Sequence, residues 1–250
     1  MSEAGNDGVP PRVVPARGSA ARPAIAAVLA ALAAGCGGAG DSTETGDPAA
    51  ETPAAARGIE PGGEGGGYRG LELVTPIRVP PFTLTDTSGE PYDFLDETAG
   101  SLAFLFFGFT HCPDICPVQL ANLAAALGDL PYAERRQVEV VFVTTDPDRD
   151  TPEIVRDYLD RFDREFTGLI APIDEVNAVL ASLDLPPAVK EETPGTGDYT
   201  VGHVAQIMAV TGDGMIRLAY PGGIRQSDWR NDLPALLRLN AAVTGSGAGG

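Results

Sequence analysis

The chain has 250 residues, with 17 Lys and Arg against 35 Asp and Glu, a net charge of −18. A nucleic-acid binder would show a basic stripe, so no nucleic-acid partner is expected. Three cysteines are too few for a disulfide-dense scaffold, and 31 Gly with 22 Pro point to linker outside a folded domain.

Arg12, Arg17 and Arg22 precede the apolar run Ala24–Gly35, and Cys36 comes directly after it. Basic residues, a short apolar core and small residues at its end read as a secretory signal over residues 1–35. Twelve helical residues span about 18 Å, against a hydrocarbon core about 30 Å thick, which disfavours a transmembrane helix. The end LAAGC resembles a bacterial lipobox, with Ala33 at the place where the pattern prefers leucine, and makes Cys36 the expected lipidation site. An uncleaved signal anchor and an ordinary cleaved signal are the alternatives. Each exports the rest of the chain to a compartment where disulfides persist. The expected location is therefore extracytoplasmic, anchored to the cell membrane as a bacterial lipoprotein. Residues 37–70 contain GGEGGG and almost no large apolar side chain. Such a segment cannot bury enough surface to offset its ordering entropy. Residues 36–70 read as a lipidated cysteine and flexible tether, 71–240 as one domain, and 241–250 as a disordered tail.

Within the domain, strand and helix signals alternate. FTLTDTSGEPYDF predicts two short strands with a turn near Ser88-Gly89. Ser101–Thr110 is a nearly continuous apolar run, suited to a strand buried on both faces. Pro117–Leu127 has helical spacing at Val118, Leu120, Leu123 and Leu127, and Val138–Asp146 predicts a second buried strand. Asp150-Thr151-Pro152-Glu153 is a helix start, with Asp150 as the cap, a proline in the first turn and an acid three residues later. That helix is expected to run to Phe162. After it come a short strand at Gly168–Ile170, a helix from Asp174 to Leu183 and a strand starting at His203. A hairpin at Gly212-Asp213-Gly214 is next, then a helix within Asp228–Leu239. The order β-α-β-α-β-α-β-β-α predicts an α/β protein of thioredoxin-like plan, a central mixed sheet with helices on both faces.

The chemistry concentrates in FGFTHCPDICPV, Phe107–Val118. Cys112 and Cys116 sit where a buried strand ends and a helix begins, the usual place for chemistry in an open α/β sheet. Four residues apart, they share one face if the loop winds into the first helical turn. A helix N-terminus favours negative charge and lowers thiol pKa values. A redox disulfide, a soft metal ion on two thiolates and a structural staple all fit these residues. Thioredoxin-type reductases use C-x-x-C, so C-x-x-x-C leans towards a metal. His203, one of two histidines, is the expected third ligand, because its strand should lie beside the one ending at Thr110. His111 is the rival, but its side chain should point away from Cys112. Asp114 reads as a solvated turn residue.

The stretches FGFTHCPDICP, VTTDPDRDTPE and YTVGHVAQIMAV together resemble the Sco/SenC family. These are thioredoxin-fold proteins that deliver copper to the binuclear copper site of cytochrome c oxidase. The resemblance implies Cys112 and Cys116 as copper thiolates that can also close a redox disulfide. It implies His203 as the imidazole ligand and Asp146, in the DPxRD segment, as a residue supporting the ligands from behind. The implied cofactor is a copper ion, Cu(I) or Cu(II). The implied partners are the copper-accepting subunit of the oxidase, other copper chaperones or a thiol reductant, and the membrane through a lipid anchor. The expected activity is a metallochaperone without substrate turnover; a thiol–disulfide oxidoreductase that keeps acceptor cysteines reduced is the alternative. Gly202 departs from the family, which commonly has an acid before the histidine. No proline precedes Val204–Val210, which counts against a general disulfide reductase.

Overall fold

The structure, a computed structural model, describes residues 67–192, 194–195 and 198–245. The expected signal, the lipidation site Cys36 and most of the tether lie outside the described residues. Among the described residues no helix is long and apolar enough to cross a membrane.

The chain enters through β1 (Leu71–Arg78), the hairpin β2 (Thr83–Asp86) and β3 (Pro91–Asp93), and the single turn α1 (Phe94–Glu97). Next come β4 (Leu102–Gly108), α2 (Ile115–Leu127), the short α3 (Tyr132–Arg135), β5 (Val138–Thr144), α4 (Pro152–Leu159), β6 (Thr167–Ile170) and α5 (Ile173–Ser182). A hairpin of β7 (Val189–Glu192) and β8 (Tyr199–Gly202) precedes β9 (Ile207–Thr211), β10 (Met215–Tyr220) and α6 (Gln226–Gly245). Eight strands form one sheet in the order β1-β10-β9-β4-β5-β6-β2-β3. The β4–β5 and β5–β6 pairs are parallel and the others antiparallel. The expected mixed sheet, thioredoxin-like and flanked by helices on both faces, is the one observed. The hairpin of β7 and β8 forms a separate two-stranded sheet.

β4 shows why the apolar run is continuous. Leu102, Phe104 and Phe106 face a core built with Leu120, Leu123, Val155, Leu159, Trp229 and Leu233. Ala103, Leu105 and Phe107 face a second core with Phe82, Phe94, Val176 and Leu180. Side chains alternate along a strand, so a strand covered on both sides needs an apolar residue at every position. Helices α2, α4 and α6 cover one face, and α1 and α5 the other.

Several boundaries differ from expectation. α4 is capped by Thr151, whose hydroxyl accepts from Ile154 N–H at 3.4 Å, with Pro152 next. Asp150, the expected cap, turns elsewhere because buried donors compete for its carboxylate. Val118 is 48% exposed. The buried stripe of α2 runs instead through Cys116, Gln119, Leu120, Leu123 and Leu127. β9 begins at Ile207, so His203 lies in an irregular stretch before it. At the entry, the N–H groups of Arg69 and Gly70 donate to Asp232 Oδ2 of α6 at 2.7 and 3.0 Å. The ordered domain therefore begins before residue 71. α6 carries Pro234 in its interior and spans Gln226–Gly245, beyond both ends of the helix expected within Asp228–Leu239, so residues 241–245 of the expected disordered tail are helical.

Candidate metal centre

β4 and β5 end side by side, and their loops meet at the carboxyl edge of the sheet. The loop after β4 carries Cys112 and leads into α2, where Cys116 is the second residue. Gly108 lets this happen. A Cβ there would lie 3.1 Å from Cys116 Sγ and 2.8 Å from the Phe142 ring, closer than packed atoms tolerate.

Asp114 holds the N-cap position of α2 but makes no side-chain capping bond. The Cys112 sulfur takes that role, accepting from Cys116 N–H at 3.4 Å. Cys112 and Cys116 are both free, the first half-buried and the second buried. The Cys112 thiol is pulled down to about 5 by the hydrogen bond from the Cys116 thiol. Burial opposes the shift, and the N–H groups of Cys116 and Asp114 and the nearby His203 assist it. The Cys116 thiol moves the other way, raised first by that same bond, then by burial and by the charge of Cys112. One cysteine is thus prepared as a thiolate, and the other holds the proton.

His203 arrives from 87 residues away, with Nε2 3.5 Å from Cys116 Sγ. Its Nδ1 lies 2.9 Å from the carbonyl oxygen of Val201. A carbonyl only accepts, so Nδ1 carries a proton, and in the neutral ring Nε2 keeps its lone pair towards the sulfur. Phe109 packs edge-on against the imidazole, centroids 5.2 Å apart. Cys116 therefore meets both Cys112 and His203. Among the described residues no three His, Cys, Asp or Glu side chains are drawn tightly enough to enclose an ion in this conformation. Cys116 and His203 touch, while the Cys112 sulfur sits at the helix terminus on the Cys116 N–H.

The remaining expected residues are placed around this trio. His111 is exposed, with Nδ1 3.1 Å from Thr110 Oγ1 and 3.7 Å from Asp150 Oδ1. Asp150 is fully buried and accepts from Thr110 N–H at 3.0 Å, Thr110 Oγ1 at 2.6 Å and Thr144 Oγ1 at 2.5 Å. It holds the root of the cysteine loop. Asp146 is also fully buried, and it accepts from Arg149 Nε at 2.5 Å and Tyr199 O–H at 2.8 Å. Asp114 is exposed, as expected of a turn residue.

A family model described as SCO1/SenC matches residues 74–238. The chain belongs to the SCO1/SenC family. A Stutzerimonas stutzeri protein named for copper binding is 33% identical over 159 residues, 64% of this chain and 76% of that protein. The solution structure of apo Sco1 from Thermus thermophilus is 32% identical with a TM-score of 0.61, covering 70% of this chain and 99% of that one. The copper-bound structure of ScoI from Bradyrhizobium japonicum is 31% identical with a TM-score of 0.55, covering 64% and 99%. The chain spans less than half of the mitochondrial and rickettsial relatives that it matches.

In this SCO1/SenC domain, sequence reasoning missed four neighbours of the trio. Gln119 is buried one turn beyond Cys116, and its Nε2 donates to Ala205 O at 2.9 Å. A polar residue on the inner stripe of α2 was the available signal. Arg149 and Tyr199, four residues before His203, pack together, guanidinium carbon 3.7 Å from the ring centroid. Tyr158 lies beneath the cysteines with its hydroxyl buried and unpartnered among the described residues. Burial first, then the charges of Cys116, Cys112 and Asp150, raise its pKa.

Proposed function

We propose that this SCO1/SenC protein binds one copper ion through Cys112, Cys116 and His203 and passes it to the copper-accepting subunit of cytochrome c oxidase, without turning over a substrate. The contact of Cys116 Sγ with His203 Nε2 carries the reading, because it joins the cysteine loop to a distant imidazole. Two thiolates and one imidazole suit Cu(I), whereas structural zinc usually takes four protein ligands. Copper in the Bradyrhizobium relative supports the ion, and the description of the family as cytochrome c oxidase assembly proteins supports the destination. Lipidation at Cys36 and the tether would hold the domain outside the membrane with reach towards a partner.

Cys112, half-buried and ionised, meets the ion or the acceptor first. Cys116 gives up its proton as it binds, and His203 offers Nε2. Transfer proceeds by ligand exchange, the acceptor's thiols or imidazoles replacing these three in turn. Oxidation of the Cys112 thiolate and the Cys116 thiol to a disulfide passes two electrons to an oxidant, releases one proton and removes both sulfur ligands, so redox state would gate the site. A competition titration with Cu(I) on the reduced full chain tests the reading. One tightly held copper, with a large loss in His203→Ala, is expected. No tight copper in a chain whose thiols are shown to be reduced would overturn it.

The lowered pKa of half-buried Cys112, with Cys116 behind it, favours a second reading, a thiol–disulfide oxidoreductase. The Cys112 thiolate would attack an acceptor disulfide and expel one acceptor thiolate. Cys116 would then attack the mixed disulfide, releasing the second thiol and leaving Cys112 and Cys116 joined. The two electrons come from this pair, and a thiol reductant must restore them. His203→Ala separates the readings, since it spares reduction of an acceptor disulfide but not copper retention.

A further inference from the structure

His203 stands beside Cys116 although no strand of the main sheet holds it. Residues 203–206 are irregular, and the hairpin before them pairs only with itself. All four residues of β7 are exposed. An isolated two-stranded hairpin is marginal in water, so side chains must fix this segment.

They do so from both ends. Upstream, Tyr199 donates its hydroxyl to Asp146 Oδ1 at 2.8 Å, and Arg149 Nη1 donates to Tyr199 O at 3.1 Å. The Arg149 guanidinium lies over the Tyr199 ring, and its Nε is bonded to the same Asp146. Lys190 of β7 adds an ion pair with Asp148 on the β5–α4 loop. Downstream, Gln119 holds Ala205 O, two residues past His203. Gln119 belongs to α2 and lies one turn beyond Cys116, so one helix positions the thiol and pins the segment bearing the imidazole. Between these two anchors the Val201 carbonyl orients the ring.

We propose that Gln119 and Tyr199 are positioning residues that hold His203 against Cys116 before any ion arrives, leaving Cys112 as the ligand that closes the site. The proposal rests on the copper reading for its purpose, but not for its test.

Outer partners of metal ligands typically contribute 10- to 100-fold in affinity. Gln119→Met and Tyr199→Phe in the reduced full chain should each weaken Cu(I) binding about tenfold. In a His203→Ala background the same two substitutions should change it less than about twofold, because there is no imidazole left to place. An equal loss in both backgrounds means general damage to the fold and overturns the proposal. The second readout needs no copper. With two histidines in the chain, nitrogen-detected NMR can track each ring of the reduced apoprotein. The parent should show His203 as one tautomer protonated at Nδ1, and each variant should show averaging of both. An unchanged His203 signal in both variants overturns the proposal. If the parent takes up no Cu(I), the function reading fails, and the ring spectra still decide whether His203 is held. Tyr199→Phe keeps the ring under Arg149, so it remains informative should Gln119→Met fail to fold.

Discussion

Cys112 and Cys116 have the same side chain and opposite tendencies. The difference arises first because the Cys116 thiol donates to the Cys112 sulfur, with N–H groups of α2 beside that sulfur, while Cys116 is enclosed and keeps the shared proton. The rate of iodoacetamide labelling at Cys112 should rise with a midpoint near pH 5. A midpoint near the ordinary thiol range would mean the sulfur does not cap the helix. Linkage gives the sign for stability. The folded pKa of Cys112 lies below the unfolded value, so its contribution is complete above the unfolded pKa. It falls as pH drops towards 5 and is gone below that. Urea melts of the chain and of Cys112→Ser between pH 5 and 8 should converge at the acid end. Gly108 is a second residue under tight constraint. Gly108→Ala places a methyl group against Cys116 Sγ and the Phe142 ring, and should cost about 1–3 kcal/mol by overpacking. It should also weaken Cu(I) retention, measured by competition, because the sulfur must move. An alanine variant with parental stability and copper retention would show that this edge yields.

At the scale of elements, α2 binds the site to the core. Its inner stripe passes from Cys116 and Gln119 to Leu123 and Leu127, so the face that carries chemistry also carries packing. Leu123 is fully buried and Val118 is 48% exposed. Leu123→Ala should cost about 2–5 kcal/mol through lost transfer energy and a residual cavity. Val118→Ala should cost less than about 0.5 kcal/mol. Equilibrium urea denaturation of the two variants checks the contrast, and similar losses would mean α2 is rotated from its described position. The spacing of Val118, Leu120, Leu123 and Leu127 announced the helix but misplaced its inner edge. Counting Val118 as core hid Gln119, whose amide is buried because it bonds Ala205 O.

For the whole molecule, the two thiol pKa shifts set the proton balance of copper uptake. Ligating sulfurs must be deprotonated. Cys112 has already lost its proton at neutral pH, while Cys116 retains its own. Cu(I) binding at pH 7 should therefore release about one proton per ion, measured as the pH change in a weakly buffered titration. Release of two would show that Cys112 is protonated before binding. The net charge of −18 adds a long-range pull on cations that salt weakens, so uptake should be slower at high ionic strength.

Much of this architecture was legible in the order of residues. The apolar runs of β4 and β5, the cap signal near residue 150 and the Gly-Asp-Gly turn each reflect local rules of burial or backbone geometry. The C-x-x-x-C loop and the family motifs singled out Cys112, Cys116 and His203 in the same way. The β7–β8 hairpin was not legible, because its exposed residues have no need to alternate and so left no pattern. Nor was the role of Asp150, since a carboxylate before a helix can cap it or face inward. Only the folded chain settles that, by placing Thr110 and Thr144 within reach. The contact between Cys116 and His203 spans 87 residues. Residue types could nominate that pair, but their distance depends on β9 lying beside β4 and on polar anchors drawn from three other parts of the chain.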